Sequence, residues 1–276
     1  MIEILKAIIF GIVEGVTEWL PISSTGHMIL LDEFIKLDVS PEFWNLFLVV
    51  IQLGAILAVV LLFWNKIWPF SKKEQYFIKK DTFDLWFKIL VACVPAAIVA
   101  ILFDDQLDAL FYNYWTVAIV LIVFGIAFII IENMNKGKKP YINNLSEITY
   151  QTAVIIGIFQ LIAAVFPGTS RSGATIVGAL LIGVSRTVAA EFTFFLAIPV
   201  MFGASLLKVA KFVTAGYTCT PTEITILIVG MVVAFFVSIV VIKFLLGYIK
   251  KHDFKVFGWY RIILGILVLL YFLIAG

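Results

Sequence analysis

Charged residues are scarce in this sequence. Asp, Glu, Lys and Arg make up 14% of its 276 residues, whereas a soluble domain carries roughly a quarter of such residues. The 20 basic and 18 acidic side chains nearly cancel, and no basic run with interleaved aromatics occurs. We therefore expect no nucleic-acid partner.

The signatures of several cofactor classes are missing as well. The two cysteines, Cys93 and Cys219, fall in an apolar stretch and in a loop, which does not indicate a disulfide framework. The Cys/His spacing of a zinc site, the P-loop and the dinucleotide fingerprint are all absent. The function must therefore come from other residue types.

Apolar residues are what the sequence has in excess. They make up 63% of the chain, and the mean hydropathy is +1.10. Several stretches without charge, among them 46–64, 116–131 and 224–242, are close to the ~20 residues that cross a bilayer as a helix. The sequence predicts a polytopic α-helical membrane protein.

A short polar segment occurs twice within this apolar sequence, and the copies differ in charge. The first copy holds Glu14, Glu18 and His27, whereas the second holds Arg171. A duplicated, helix-broken polar segment in a membrane protein indicates a binding site near the middle of the bilayer. Aligned on their first glycines, the copies pair Gly11 with Gly157, Glu14 with Gln160, Pro21 with Pro167 and Ser24 with Ser170.

We predict ten helical segments in two sets. The first set is 2–20, 23–36, 43–65, 84–103 and 114–132, and the second is 149–166, 170–184, 187–212, 222–247 and 256–275. The first two segments of each set are too short to span a bilayer, and a proline separates them. We expect each pair to form a re-entrant hairpin, over 2–36 and over 149–184.

Three full spans after each hairpin change the side of the membrane once, so the second set starts on the opposite face from the first. The expected fold is all-α and integral to the membrane, an inverted-topology repeat with about six transmembrane helices and two re-entrant hairpins. Repeat 1 covers 1–135 and repeat 2 covers 147–276, and together they form one intertwined membrane domain. The two broken tips should meet.

Loop charges predict the orientation. Lysines concentrate in the connections 65–82, 133–146 and 248–256, whereas 104–108 is acidic and 213–221 carries no Lys or Arg. Positive charge favours the cytoplasmic side. We therefore expect both termini on the outer face.

Glu14 and Glu18 face the same way because they are four residues apart on a helix. Two carboxylates held close in an apolar setting require a proton or a cation, and an all-oxygen pair suits Mg²⁺ or Ca²⁺. The alternative is a structural ion pair with Arg171, although one arginine cannot neutralise both carboxylates.

Arg171 begins the second short helix of its copy, and its forked donors suit a phosphate. Two half-helix N-termini add backbone N–H donors. A single membrane serine or threonine often only packs helices, but a cluster in both copies favours contacts with a substrate. We expect such contacts from Ser23, Ser24, Thr25, Thr169, Ser170, Ser172 and Thr175, and either a polar contact or packing from Gln160.

Ser24 lies one helical turn before His27, so a pairing of nucleophile and base is available; a structural donor role for His27 is equally consistent with the sequence. A hydroxyl, an imidazole, two carboxylates and an arginine together favour phosphoryl transfer.

These residues resemble the two signature motifs of the bacterial undecaprenyl-diphosphate phosphatases of the BacA/UppP type. The matching segments are Glu14-Gly-Val-Thr-Glu18-Trp-Leu-Pro-Ile-Ser-Ser-Thr-Gly-His27 and Pro167-Gly-Thr-Ser-Arg-Ser-Gly-Ala-Thr175. The resemblance implies an enzyme of the bacterial cytoplasmic membrane, with a site open to the outer face. It would remove the terminal phosphate of undecaprenyl diphosphate, which recycles the lipid carrier for peptidoglycan and other cell-wall polymers, and it is associated with bacitracin resistance.

The resemblance also implies roles for single residues. Glu14 and Glu18 would bind the metal or act as base. Ser24 would be the nucleophile, and His27 would act as base or proton donor. The residues that would hold the diphosphate are Ser170, Arg171 and Thr175.

Two other functions compete with the phosphatase. A flippase for the isoprenyl phosphate lipid would also use inverted repeats with broken helices, but an anion carrier gains little from two carboxylates beside its cargo. A structural scaffold would not need buried charge. A homodimer is an oligomeric state that the sequence leaves open.

Overall fold

The computed structural model describes residues 1–71, 77–111 and 113–275, and this part of the chain folds into helices without a named strand. The helices are α1 Ile2–Thr17, α2 Ser24–Phe34, α3 Pro41–Val50, α4 Gln52–Leu62, α5 Trp64–Ile67, α6 Lys80–Phe111, α7 Tyr114–Met134, α8 Tyr150–Val165, α9 Arg171–Leu181, α10 Arg186–Thr214, α11 Pro221–Ile249 and α12 Lys255–Ala275.

Among the described residues, six helical segments are long and apolar enough to cross a membrane, which confirms the prediction of an all-α membrane protein with about six spans. They are Pro41–Leu62, Lys80–Phe103, Tyr114–Met134, Arg186–Thr214, Pro221–Ile249 and Lys255–Ile274. The helix predicted over 84–103 is longer at both ends. Among the charges used for the orientation, Lys72 and Lys73 and the side chains of Asp104, Asp105 and Asp108 lie outside the described residues.

The two predicted hairpins are α1 with α2 and α8 with α9, and a serine caps the second helix of each. Ser23 accepts from the N–H of Gly26 at 3.3 Å, and Ser170 accepts from the N–H of Gly173 at 3.1 Å. Both serines have a positive φ, of 75° and 67°. Ser23, not Ser24, is therefore the structural counterpart of Ser170, and the predicted pairing was wrong by one residue.

Compared with the first tip, the second tip has one more residue between its proline and its capping serine, which we assign to Gly168. It stands between Pro167 and the cap with a φ of +90°, a conformation that glycine adopts without a steric penalty. A Cβ at Gly168 would also lie 2.8 Å from the Cα of Val117. The second tip therefore reaches α7 through a turn that the first tip does not have.

The first helix of each hairpin packs against a span from the other half of the chain. Helix α1 lies along α11, and α8 lies along α6. The close approach needs glycine, because a Cβ at Gly11 would lie 2.7 Å from the carbonyl oxygen of Gly230 and one at Gly157 would lie 2.4 Å from that of Ala92. Each half of the chain therefore contributes a helix that packs on a span of the other half, so the two halves are intertwined. The boundaries of the two repeats remain a prediction.

The second helices of the hairpins differ in their surroundings. Every residue of α9 from Ser172 to Leu180 is buried, and α9 packs against α7, α8 and α10. In α2 only Gly26 and Met28 are buried. Helix α9 therefore belongs to the core of the molecule, and α2 lies at its edge.

Candidate active site

The tips of the two hairpins meet at an ion pair between Glu18 and Arg171. Arg171 Nη2 donates to Glu18 Oε1 at 2.8 Å, and the two side chains are 13% and 7% exposed respectively. Ser24 Oγ donates to the other carboxylate oxygen, Oε2, at 2.7 Å. One carboxylate therefore holds both the candidate nucleophile and the candidate anion-binding group.

A backbone carbonyl of helix α10 fixes the position of Arg171. Its Nη1 donates to the carbonyl oxygen of Thr193 at 2.9 Å. Thr175 is fully buried, and its hydroxyl lies 2.9 Å from the carbonyl oxygen of Arg171 and 2.9 Å from the hydroxyl of Thr193. In this geometry Thr175 supports Arg171 and, being fully buried, is not exposed to a ligand.

The remaining predicted hydroxyls divide into buried and accessible groups. Ser172 is buried, and its Oγ donates to the carbonyl oxygen of Glu18 at 3.2 Å. Ser23 is also buried. Ser24, Thr25 and Ser170 are partly exposed at the two tips, so these are the side chains that a ligand can reach.

His27 is held by two partners, and Ser24 is not one of them. Its Nδ1 lies 2.7 Å from the carbonyl oxygen of Ser23, which can only accept, so Nδ1 carries the proton. Its Nε2 then accepts from the hydroxyl of Tyr260 at 2.7 Å, and the two rings stack with centroids 5.6 Å apart. The pairing of Ser24 with His27 that we predicted is not formed here, because Ser24 donates to Glu18 instead.

Arg261 on α12 is a residue that the sequence analysis missed. It is fully buried, and its guanidinium donates to the carbonyl oxygens of Pro21 at 3.2 Å, Gly168 at 3.1 Å and Thr169 at 2.8 Å. These carbonyls belong to both tips, so Arg261 joins them. An arginine inside an otherwise apolar span was the available signal, since ionisable groups at such positions are functional by default.

Glu14 and Gln160 are buried polar residues without protein partners for some of their atoms. Glu14 is 1% and Gln160 is 2% exposed, and Glu14 Oε1 and both amide heteroatoms of Gln160 have no hydrogen bond in the described part of the chain. A carboxylate oxygen left unpaired in an apolar interior is costly. The Glu14 carboxyl group therefore requires a proton, a water or a cation.

The donor set fits a hard cation held jointly with a substrate. Glu14 and Glu18 offer only oxygen, which Mg²⁺ and Ca²⁺ prefer. Glu18 already accepts from Ser24 and Arg171, and the described residues hold no group of three or more His, Cys, Asp or Glu arranged for a metal. Mg²⁺ commonly binds through one or two carboxylates together with substrate phosphates, which this pair allows.

The arrangement is suited to attack on a phosphate. A hydroxyl donates to a carboxylate that can take its proton, and a guanidinium beside it can bind the anion. Ser23 and Ser170 cap two half-helices whose N-terminal residues Ser24 and Arg171 both contact Glu18, and backbone N–H groups at helix N-termini favour negative charge.

Comparison with known proteins identifies close relatives over the whole chain. The family described as "Bacitracin resistance protein BacA" matches residues 7–267. Undecaprenyl-diphosphatase 1 of Clostridium acetobutylicum is 72% identical over 274 residues, covering 99% of both chains. The undecaprenyl-diphosphatase of Desulfitobacterium hafniense is 68% identical over 272 residues, covering 99% of this chain and 97% of the relative. The undecaprenyl-diphosphatase of Enterococcus faecalis is 64% identical over 271 residues, covering 98% of this chain and 97% of the relative.

Proposed function

The chain belongs to the BacA family, and we infer that it is a membrane phosphatase that hydrolyses undecaprenyl diphosphate to undecaprenyl phosphate and inorganic phosphate. The reaction recycles the lipid carrier of peptidoglycan and other cell-wall polymers, and the family is associated with bacitracin resistance. The observation that carries the assignment to this site is the contact of Glu18 with both Ser24 and Arg171.

We propose that the terminal phosphate of the substrate binds Arg171. The phosphate then competes with Glu18 for Nη2, and Glu18 is released from its ion pair to act as base. Ser24 Oγ, or a water that it holds, attacks the terminal phosphorus while Glu18 takes the proton. The bond from that phosphorus to the bridging oxygen breaks, and the lipid monophosphate leaves.

Ser24 and a water lead to the same products by different routes. With Ser24 as nucleophile, a phosphoserine forms and water then cleaves it. With water as nucleophile, phosphate is released in one step. On either route the leaving oxygen needs a proton. His27 can supply it only after its Nε2 has gained a proton and released the hydroxyl of Tyr260.

We further propose that Glu14 and Glu18 hold a divalent cation, Mg²⁺ or Ca²⁺, together with substrate oxygens. When bound, such a cation neutralises negative charge on the phosphates. The unpartnered Oε1 of Glu14 supports this assignment. Thr25 and Ser170 would complete the polar lining that the substrate contacts, with Ser23, Ser172 and Gln160 buried behind it.

The proposed location is the bacterial cytoplasmic membrane, with both termini and the mouth of the site on the outer face. The six apolar spans support a multi-pass protein. The lysines of the connections 65–82, 133–146 and 248–256 support the orientation.

The test is phosphate release from a long-chain isoprenyl diphosphate by the purified protein in detergent, with the cation added and then chelated. We expect cation-dependent release that falls at least about a hundredfold in Glu18→Gln and in Arg171→Ala. Glu191→Gln is the matched control, because it removes an ion pair with Lys66 outside this site, and its rate should stay near that of the parent.

Intertwined halves with broken half-helices are also transporter architecture, which keeps a flippase for the isoprenyl phosphate lipid as the second candidate. A folded protein that releases no phosphate above background would reject the phosphatase. Transfer of the lipid phosphate between leaflets of proteoliposomes would then become the activity to measure.

A further inference from the structure

Helices α2 and α12 lie side by side next to the site with little packing between them, and we call this boundary the α2–α12 seam. In the described part of the chain, α12 packs closely along α7, and α9 packs against α7, α8 and α10, whereas α2 packs against α1 and makes no comparable contact with α12. Two side-chain contacts bridge α2 and α12. His27 meets Tyr260 at the inner end, and Phe34 meets Tyr271 at the outer end with ring centroids 5.8 Å apart.

The seam leads from the site to the apolar surface. His27 is one turn beyond Ser24, and Tyr260 is next to Arg261, so the inner contact borders the residues that would bind phosphate. The outer contact lies seven residues further along α2, roughly 10 Å along a helix axis. Both contacts are accessible from the surface, since Tyr260 is 43%, Phe34 70% and Tyr271 36% exposed.

A substrate with a long isoprenyl chain needs such an opening. Its diphosphate must reach Arg171 between the tips, whereas its chain cannot be accommodated in a closely packed protein interior and is soluble only in lipid. The buried length of α9 closes the corresponding position in the second half. The edge position of α2 leaves the first half open on the lipid side.

We propose that the α2–α12 seam is the lateral portal through which the isoprenyl chain enters and leaves, resting on the phosphatase function proposed above. The hydrogen bond between His27 and Tyr260 closes its inner end, and the contact between Phe34 and Tyr271 closes its outer end. Both contacts part to admit a long chain. A short, water-soluble prenyl diphosphate needs neither contact to part, because the partly exposed Ser24, Thr25 and Ser170 leave the tips accessible without the seam.

The experiment holds the two helices together and compares two substrates. Phe34→Cys and Tyr271→Cys are introduced into a Cys93→Ala, Cys219→Ala protein and bridged with a short bifunctional maleimide, since contacting rings do not guarantee disulfide geometry. We expect the bridge to lower phosphate release from a long-chain isoprenyl diphosphate at least about tenfold. Release from a short-chain prenyl diphosphate should change less than about twofold.

A matched control bridges α12 to a helix that already packs along it. Tyr114 on α7 stacks on Phe272 with centroids 4.2 Å apart, so bridging Tyr114→Cys to Phe272→Cys should leave both rates near those of the unbridged protein. Equal loss with both substrates in the Phe34–Tyr271 bridge, or no loss with the long chain, would overturn the portal. If the unbridged variants release phosphate from neither substrate, the phosphatase assignment fails first and the portal with it.

Discussion

Arg261 acts through backbone carbonyls and has no carboxylate partner among the described residues. Its guanidinium donates to Pro21, Gly168 and Thr169, and its Nε lies 3.5 Å from the carbonyl oxygen of Leu121. Carbonyls in a broken helix have no intrahelical partner and must be satisfied from elsewhere. At the scale of single residues, Arg261 is therefore what allows two irregular tips to lie side by side in an apolar interior.

We expect Arg261→Met to lose phosphatase activity by about a hundredfold or more, because misplaced catalytic groups lose that much. It leaves the carbonyls of both tips unpaired, each at about 1–3 kcal/mol. Arg261→Lys should fall in between, since it keeps the charge without the planar fork. Phosphate release and thermal unfolding in detergent measure both effects. An Arg261→Met protein as active as the parent would show that the tips align without this residue.

The serine caps lead to a second prediction at this scale. Ser23 has a φ of 75°, which is unfavourable by roughly 1–2 kcal/mol for a residue with a Cβ. Ser23→Gly removes this strain and loses little capping energy, whereas Ser23→Ala keeps the strain and loses about 1 kcal/mol of capping. We therefore expect the glycine variant to be more stable than the alanine variant by about 2–3 kcal/mol in unfolding measurements.

Ser40 provides the comparison for this prediction. It caps α3 through the N–H of Phe43 at 3.2 Å, with an ordinary φ of −64°. Alanine and glycine at Ser40 should differ by less than they do at Ser23, because only the capping contribution is at stake. A difference as large at Ser40 as at Ser23 would mean that the backbone strain at Ser23 is not released by glycine.

At the scale of helices, the spans could be predicted from sequence and the details of the tips could not. Spans such as α7 and α11 follow from runs without charge, because a bilayer-length apolar helix needs no other information. The predicted register of the two tips was wrong because Gly168 adds one residue in a positive-φ turn. An alignment of the two copies on their first glycines does not show this residue. The role of Arg261 depends on contacts far apart in sequence, which local patterns do not encode.

The close packing of α1 on α11 and of α8 on α6 leads to a prediction about stability. Gly157→Ala places a Cβ 2.4 Å from the carbonyl oxygen of Ala92, so α8 must move away from α6. We expect a loss of about 1–3 kcal/mol in stability, as for other overpacked positions, and a similar loss for Gly11→Ala on α1. Thermal unfolding in detergent measures both.

Two other helical glycines test whether the close contact is the cause. Gly203 on α10 and Gly247 on α11 have open space around the position of a Cβ. Alanine at either should be neutral or stabilising by up to about 1 kcal/mol, as alanine is favoured over glycine within helices. Equal destabilisation at all four positions would point to a general effect of the substitution.

At the scale of the whole molecule, neither half of the chain contains a complete site. Glu14, Glu18 and Ser24 come from the first hairpin, whereas Arg171 follows the second break and Arg261 lies in the last span. The intertwined packing of α1 on α11 and α8 on α6 brings these groups together. A shift of one hairpin against its partner span would therefore change the distance between Glu18 and Arg171, so catalysis and global packing are coupled.

The orientation of the whole molecule can be read from its own cysteines. Cys219 lies in the connection between α10 and α11, which we expect on the outer face. In intact cells, a membrane-impermeant maleimide should label Cys219 in a Cys93→Ala protein. Burial raises the pKa of the Cys219 thiol, and because the thiolate is the reactive form, labelling should accelerate as the pH rises from about 7 to about 9. Lys139→Cys, in a protein without the native cysteines, should react only after permeabilisation, since 133–146 is expected in the cytoplasm. The opposite pattern would invert the molecule and direct the mouth of the site to the cytoplasm.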